Sequence, residues 1–326
     1  MNPARRLFAA SIAAGAALAL AAAPVFAQSW PDKPIKIIVP YGAGGSVDAI
    51  GRTLAQELST RLGQPVLVEN KTGAGSNIGS TFVAKAPADG YTLLLTSPGN
   101  AINVTLFKHM PYDVKTELTQ VAIVGRAPGI VLVAPNFPAN NVKELVAMAK
   151  KEPGKLNFGS GGPGSSEHLS GEMFKSIAGI EMTHIPYKGG SSVVTDIIGG
   201  NVDVFFTNQA NVIGQIKGNV VKVLGVAANQ RSTLVPNVPT FAEQGYPEQQ
   251  VSVWWGIAAP AKTPTAILDR LNREIVAAGN SPSMRARLAG IGAETIITTR
   301  EQANAFFDEE IVRWGKAVKS SNAQVE

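Results

Sequence analysis

The most constraining feature of the chain is a strand, a glycine-rich turn and a helix in close succession near its start. An apolar run at Ile35–Pro40 leads directly into the turn Tyr41-Gly-Ala-Gly-Gly-Ser46. Ile50, Leu54 and Leu58 then recur at the spacing of one helix face. Such a turn leaves backbone N–H groups without internal partners at the positive end of a helix dipole. The stretch therefore predicts an anion site that needs no charged side chain.

The first residues have the pattern of an export signal. Arg5 and Arg6 precede the alanine-rich apolar run Leu7–Ala23, and Val25-Phe-Ala27 places small to medium residues at the cleavage positions. The run is shorter than the roughly 20 residues that a membrane span needs, which favours removal over retention as an anchor. We therefore expect residues 1–27 to be a signal peptide cleaved after Ala27, and the remaining chain to be periplasmic.

Composition excludes several classes of function. The chain has no cysteine, which excludes disulfides, a Cys nucleophile and thiolate metal sites. Its net charge of +5 is mild, and no Lys/Arg run is interleaved with aromatic residues as in nucleic-acid binders. His109, His168 and His184 form no metal pair at helical spacing, and no Gly-x-Ser-x-Gly elbow is present. We expect no nucleic-acid partner, no metal and no cofactor.

Apolar segments alternate with helical patterns along the rest of the chain. The first block follows a βαβαβ order, with the continuous apolar strands of a buried parallel sheet. A second block repeats the βα rhythm, over about residues 127–250. Between them we expect two separate strands, Val121–Gly125 and Ile130–Ala134, with a break at Arg126-Ala-Pro-Gly129. The pattern predicts an α/β fold of two domains.

Four glycine- and serine-rich turns follow apolar strands, at Tyr41–Ser46, Ser97–Asn100, Gly159–Ser166 and Tyr187–Ser192. Any single one is explained by a tight turn and a helix cap. Ligands of open α/β sheets bind off the carboxyl ends of the strands, so four turns at equivalent positions favour a binding cleft. Oriented N–H groups and Ser hydroxyls suit a small carboxylate. A β-branched residue at Gly44 or at Gly45 is expected to spoil the first turn and with it binding.

Four polar or charged residues lie near these turns, and the sequence leaves the role of some of them open. His168 either touches the ligand or packs and caps a helix. Asp203 either accepts hydrogen bonds from a ligand or caps a turn. Asp48 lies in a first helical turn, where an acid stabilises the helix dipole, and we interpret it as structural. Arg126 lies outside the glycine turns but close enough to the expected hinge to reach the cleft.

A dinucleotide-dependent enzyme is the strongest competing class from the residues alone. Gly42-Ala-Gly44 lies in a strand–turn–helix unit, and Glu69 ends the next strand, where a ribose-binding acid is expected. However, the third glycine of that fingerprint would fall at Val47, and export separates the chain from the nicotinamide pool. These two facts argue against a dinucleotide site.

Taken together, the motifs resemble those of the tripartite tricarboxylate transporter receptor family, also called Bug receptors. The resemblance covers essentially the whole chain after the signal. The matching segments are Trp30-Pro-x-Lys-Pro-Ile35, Val39-Pro-Tyr-x-Ala-Gly-Gly45, Val68-Glu-Asn-Lys-x-Gly-Ala-Gly75, Ala88-Asp-Gly-Tyr-Thr92, Gly159-Ser-x-Gly-x-Gly-Ser165, Ile185-Pro-Tyr-Lys-Gly189, Gly199-Gly-x-Val-Asp203 and Trp255-Gly-Ile-x-Ala-Pro260.

The resemblance implies a two-domain, type II-like periplasmic binding protein with two crossing strands at the hinge. It implies closure on a small solute without catalysis, and delivery to a membrane permease of one large and one small subunit. Family ligands include di- and tricarboxylates, acidic amino acids, and aromatic acids or their amides. We expect domain 1 to comprise residues 28–126 plus 252–326 and domain 2 residues 127–251, in a monomer.

The resemblance also points to binding residues. In the family, backbone N–H groups of the first glycine loop hold a carboxylate, and the second-domain motifs add further contacts. With the strand-end residues above, the expected ligand-binding set is Tyr41, Gly42, Ala43, Gly44, Gly45, Ser97, Ser160, Ser165, Lys188, Gly189, Gly190 and Asp203. Val47 stands where Ser or Thr is common, which shifts the site toward less polar ligands. The alternatives are an exported hydrolase or lyase acting on a small carboxylate, and a receptor for a signalling partner.

Overall fold

The computed structural model describes residues 30–187, 189–321, 323 and 325. All helices and strands given below lie in one compact unit, Lys33–Glu326. The expected signal peptide with its cleavage site, and Lys188, lie outside the described residues. No described helix is both long enough and apolar enough to cross a bilayer.

The described strands form one mixed sheet. In chain order they are β1 (Ile35–Val39), β2 (Val66–Asn70), β3 (Thr92–Thr96), β4 (Leu118–Val133), β5 (Asn157–Ser160), β6 (Thr183–Pro186), β7 (Val204–Asn208), β8 (Lys222–Ala227), β9 (Ser252–Pro260) and β10 (Glu294–Thr295). The order across the sheet is β2-β1-β3-β9-β4-β7-β5-β6, and β8 and β10 also pair with β4.

Helices connect these strands. In chain order they are α1 (Ser46–Leu62), α2 (Asn77–Ala84), α3 (Pro98–Leu106), α4 (Val114–Glu117), α5 (Val142–Lys151), α6 (Ser166–Ala178), α7 (Gly190–Gly199), α8 (Ile213–Lys217), α9 (Thr265–Gly279), α10 (Pro282–Gly290) and α11 (Arg300–Ser321). Short 3-10 turns lie at Ala74–Ser76 and Gln209–Asn211. Gly63 ends α1 in the left-handed region, at φ 67°, as its sequence position predicts.

Two parallel groups of strands are joined by antiparallel ones. Strand β1 is parallel to β2 and β3, and β5 is parallel to β6 and β7. Between the groups, β9 is antiparallel to both β3 and β4, and β4 is antiparallel to β7. The predicted α/β fold with two βα blocks and two crossing strands is confirmed, and β4 and β9 are those strands.

The break that we expected within β4 is absent. Leu118–Val133 is one continuous strand through Pro128 and Gly129, and the prediction of two strands was wrong. Its first part pairs with β9 as far as Pro128↔Ser252, and its last part pairs with β7 and β8 from Gly129 onward. Because the strand changes partners at this point, the missing N–H of proline interrupts neither ladder.

The crossing region is anchored by aromatic residues around one acid. Trp254 in β9 and Trp314 in α11 are fully buried. Both indole N–H groups donate to Oε2 of Glu310, at 2.8 Å and 3.0 Å, and Arg313 donates to Oε1 at 2.6 Å. Glu310 is itself only 1% exposed. This cluster ties the last helix to one of the two strands that link the blocks.

Candidate ligand-binding cleft

A cleft of about 820 Å³ opens at the carboxyl ends of the parallel strands. Residues from both βα blocks line it, so the expectation that turns of the two blocks meet is fulfilled for three of the four turns. The polar lining residues include Tyr41, Ser46, Ser97, Ser165, Ser166 and Glu167. The apolar ones include Val47, Ile102, Leu106, Phe107, Pro163 and Val253. None of the described lining residues is Lys or Arg.

The first wall is the N-terminus of α1. Its cap residue, Gly45, makes no side-chain hydrogen bond to the helix, so the N–H groups of the first turn have no partner from the cap. Ser46 and Val47, which begin the helix, line the cleft. A 17-residue helix therefore presents free N–H groups and the positive end of its dipole to the cleft.

The glycine loop before this helix, which we expected to contact the ligand, lies at the surface outside the cleft lining. Gly42, Ala43, Gly44 and Gly45 are exposed and are not among the lining residues. The N–H of Gly44 donates to Oδ2 of Asp48 at 3.0 Å and is thus already used within the loop.

Asp48 holds that loop together. It is 4% exposed and accepts hydrogen bonds from Arg52 Nε at 3.0 Å and from Asn70 Nδ2 at 2.9 Å. The pKa of Asp48 is lowered to about 2, mainly by the hydrogen bond from the Arg52 guanidinium. The hydrogen bonds from Gly44 and Asn70 lower it further. Asn70 also donates to the carbonyl of Tyr41 at 3.0 Å. Asp48 is structural, as its position in the first turn predicts.

The second wall joins Tyr41 to the N-terminus of α3. The hydroxyls of Tyr41 and Ser97 share a hydrogen bond of 2.7 Å, and burial is the main reason why the pKa of Tyr41 is raised. A Cβ at Gly99 would overlap the Tyr41 hydroxyl, so the glycine permits this approach. Ser97 N–H donates to Asn100 Oδ1 at 3.0 Å, which fixes the start of the helix.

The third wall comes from the second block, at the N-terminus of α6. Ser165 caps this helix by accepting a hydrogen bond from the N–H of His168 at 3.2 Å. Gly164 has φ +75°, and a Cβ there would lie 2.6 Å from Leu106 Cδ2 of α3. The loop thus packs directly against the opposite wall, and three helix N-termini face one cleft.

Behind this wall lies a stacked pair of histidine rings, of which His168 is buried and His184 is half-buried. His168 and His184 stack with ring centroids 4.1 Å apart. His168 Nδ1 accepts from the N–H of Gly164 at 3.2 Å, and His184 Nε2 lies 2.6 Å from Ser160 Oγ. Ser160 is fully buried and its hydroxyl also accepts from Gly162 N–H at 3.1 Å. Ser160 and His168 therefore shape the loop from behind and do not line the cleft.

This pair predicts a pH-dependent stability. Burial, with the neighbouring His168 ring as the second cause, lowers the pKa of His184 to about 4, against about 6.5 in an unfolded chain. Between these values the unfolded state binds more protons, so acidification through this window lowers the free energy of unfolding. We expect His184→Gln to reduce the loss of melting temperature between pH 7 and pH 5, while His109→Gln, at an exposed site, leaves it unchanged. Equal losses in all three proteins would contradict this assignment.

The remaining predicted residues lie elsewhere. Asp203 precedes β7, and its carboxylate accepts from the N–H of Asn157 at 2.9 Å while its own N–H donates to Asn157 Oδ1 at 3.0 Å. This reciprocal pair lies at the amino ends of parallel strands, opposite the cleft. Gly189 and Gly190 are not among the lining residues, and a Cβ at Gly190 would lie 3.5 Å from Glu167 Oε1. Arg126 pairs with Glu294 at 3.3 Å on the exposed surface and does not line the cleft.

Sequence reasoning missed several lining residues. Asn208 ends β7 and so occupies a carboxyl strand end, a signal that was present in the pattern. Glu167 follows the third glycine turn. Because it is the second residue of α6, its sequence position indicates only an acid that stabilises the helix dipole. Leu106, Phe107 and Val325 reach the cleft through tertiary packing alone, with Val325 bridging to Phe107.

Comparison with known proteins agrees with this architecture. The family model described as tripartite tricarboxylate transporter family receptor matches residues 50–323. The protein BugT of Bordetella pertussis is 39% identical over 306 residues, which cover 93% of this chain and 94% of that protein.

Two solved structures have the same fold. A protein from R. palustris solved with adipate is 33% identical, with a TM-score of 0.79, covering 90% of this chain and 98% of that one. MatC from Rhodopseudomonas palustris, solved with bound malate, is 30% identical, with a TM-score of 0.75, covering 89% of this chain and all of the other. The chain belongs to the tripartite tricarboxylate transporter receptor family, whose members are solute-binding receptors of the periplasmic binding protein fold.

Proposed function

We propose that this protein is a periplasmic receptor that captures a small carboxylate and delivers it, unchanged, to a tripartite tricarboxylate-type membrane permease with one large and one small subunit. The observation that carries the proposal is the convergence of the N-termini of α1, α3 and α6 on one cleft. Each N-terminus carries about half a positive charge, and the described lining residues include no Lys or Arg. Such a site suits a compact anion held by amides and hydroxyls.

The ligand carboxylate is expected at the start of α1. There Ser46 and Val47, the first residues of α1, line the cleft together with Tyr41 and Ser97, whose hydroxyls share a hydrogen bond. Ser165 and Ser166 approach from the second block. From the predicted set, this proposal keeps Tyr41, Ser97 and Ser165 as ligand contacts and assigns the exposed glycine loop to positioning. The apolar side chains, Val47 among them, would cover the carbon skeleton.

Closure is expected to follow a hinge across β4 and β9. β4 pairs with strands of both blocks, β9 pairs with it as far as Pro128, and the β4–β9 register shifts twice, between Gln120 and Ala122 and between Ile123 and Gly125. We propose residues 28–126 plus 252–326 as domain 1 and residues 127–251 as domain 2. The partner change of β4 at Pro128 and Gly129 supports a boundary here. A monomer is sufficient for this motion.

The two relatives solved with adipate and with malate support a carboxylate as the ligand. The family description supports a transport role, and delivery to a permease is the step that we infer from it. An exported hydrolase or lyase is disfavoured by the site itself. Ser160 and His184 do form a hydrogen bond of 2.6 Å, but Ser160 is fully buried and outside the cleft.

A thermal-shift screen tests this function. The purified protein would be heated with dicarboxylates, citrate, amino acids and aromatic acids, each well above its dissociation constant. A ligand at about 100 times its Kd stabilises the folded state by about 2.7 kcal/mol, which corresponds to a rise of about 5 °C. The stabilising ligand should be recovered intact after long incubation. Turnover of the ligand, or no stabilisation by any carboxylate, would contradict the proposal.

A further inference from the structure

Glu167 is an acid in the wall of a cleft that is otherwise suited to an anion. It lies in the first turn of α6 and lines both the main cleft and a small adjoining cavity of about 20 Å³. Ser170, Thr207 and Asn208 also line this cavity, together with apolar residues such as Phe206. Glu167 is the one carboxylate among the described residues of either lining.

The carboxyl group of Glu167 is held in a fixed place. A Cβ at Gly161 would lie 3.3 Å from its Oε2, and one at Gly190 would lie 3.5 Å from its Oε1. The group therefore sits between two glycine loops of the second block. Burial raises the pKa of Glu167, although the Ser165 hydroxyl and the Gly161 N–H oppose this shift by donating to it. Among the described lining residues, Glu167 carries the only ionisable carboxyl group at this end of the cleft.

The acidic character of Glu167 limits which ligand groups can lie beside it. A ligand carboxylate within about 4–6 Å of Glu167 costs free energy at neutral pH, because the two groups either repel each other as anions or must take up a proton, and a low local dielectric strengthens the repulsion. An amide or ammonium group at the same place donates an N–H to the carboxylate instead. The helix N-termini attract one carboxylate, and Glu167 opposes a second.

We propose that Glu167 makes the cleft selective for ligands with one carboxylate and an N–H donor at the other end, such as mono-amides of dicarboxylic acids or amino acids, over dicarboxylates. This inference rests on the proposed function and narrows its ligand class. It assigns Glu167 as a specificity-determining residue.

Matched ligand pairs test the assignment. Succinate, glutarate and adipate would each be compared with its mono-amide, which has the same heavy-atom count, by calorimetry on the full protein at pH 7.5. We expect the wild type to prefer the mono-amides by about tenfold, the ratio expected for about 1.4 kcal/mol of charge repulsion. Glu167→Gln should shift the ratio by about tenfold toward the dicarboxylates.

Two further variants keep the test decisive. Glu172→Gln, on the same helix but paired with Lys175 at 3.0 Å and outside the lining, should keep the wild-type ratio. Glu167→Asp retains the charge and should also keep the wild-type preference if Glu167→Gln fails to fold. A ratio unchanged by Glu167→Gln, a wild type that prefers the dicarboxylates, or binding of neither series would overturn the inference. Stabilisation by another carboxylate in the thermal screen would then leave the proposed function standing, and its absence would remove both.

Discussion

Gly44→Val is expected to weaken carboxylate binding by about tenfold or more. Gly44 has φ +88°, a region in which a β-branched residue is strongly disfavoured. The loop of the variant relaxes to another conformation, which moves Tyr41 and Ser46 and breaks the Gly44 N–H bond to Asp48. Binding must then restore the strained loop, and a cost of about 1.4 kcal/mol corresponds to tenfold in affinity.

Gly45→Val is the matched control. Gly45 has φ −76° and ψ 171°, an ordinary extended conformation, and the nearest atom to a Cβ there is Gly42 O at 3.9 Å. We expect less than a threefold change in affinity, measured by calorimetry with the ligand found in the screen. The two glycines look equivalent in sequence, and from the sequence we expected a β-branched residue at either one to spoil the turn. Equal affinities of Gly44→Val and the wild type would exclude the positioning role of the loop.

Glu310→Ala is expected to lower the free energy of unfolding by about 2–4 kcal/mol. The change removes the acceptor of two buried indole N–H groups, from Trp254 and Trp314. Each buried donor left without a partner costs about 1–3 kcal/mol. The loss of the packed side chain adds a cavity next to both rings.

Chemical denaturation followed by tryptophan fluorescence measures this effect. Glu309→Ala is the control, because Glu309 is the adjacent residue of α11 and is exposed. Its unfolding free energy should stay within about 0.5 kcal/mol of the wild type. A similar stability of Glu310→Ala and Glu309→Ala would mean that the indole donors find other partners.

Much of the architecture is determined by sequence. Apolar runs, glycine turns and helix-period patterns specify the alternating strands and helices, because strand, turn and helix propensities are local properties. They predict the α/β class, the two blocks and the position of the first turn before α1. The ordered motifs identify the family over the whole described chain. The sequence also places Asp48 as a structural acid, since a first-turn carboxylate depends only on its own helix.

The identity of the groups that face the cleft was decided by the tertiary structure. Ser160 and Ser165 belong to one motif, yet Ser160 turns inward to His184 while Ser165 lines the cleft. Asp203 follows a glycine turn but lies at the amino end of its strand. These outcomes depend on which side chain, far away in the sequence, occupies the neighbouring space.

At the glycine turn Tyr41–Ser46, too, the sequence determines one part of the structure and tertiary packing determines the other. Its sequence determines that the chain turns there and enters a helix with unpaired N–H groups. The structure decides that the Gly44 N–H is used by Asp48, that Ser46 and Val47 line the cleft, and that Glu167 lies in another wall of the same cleft. Local propensity sets the conformation of a turn, whereas the partners of its hydrogen bonds are set by packing between segments that the sequence does not place side by side.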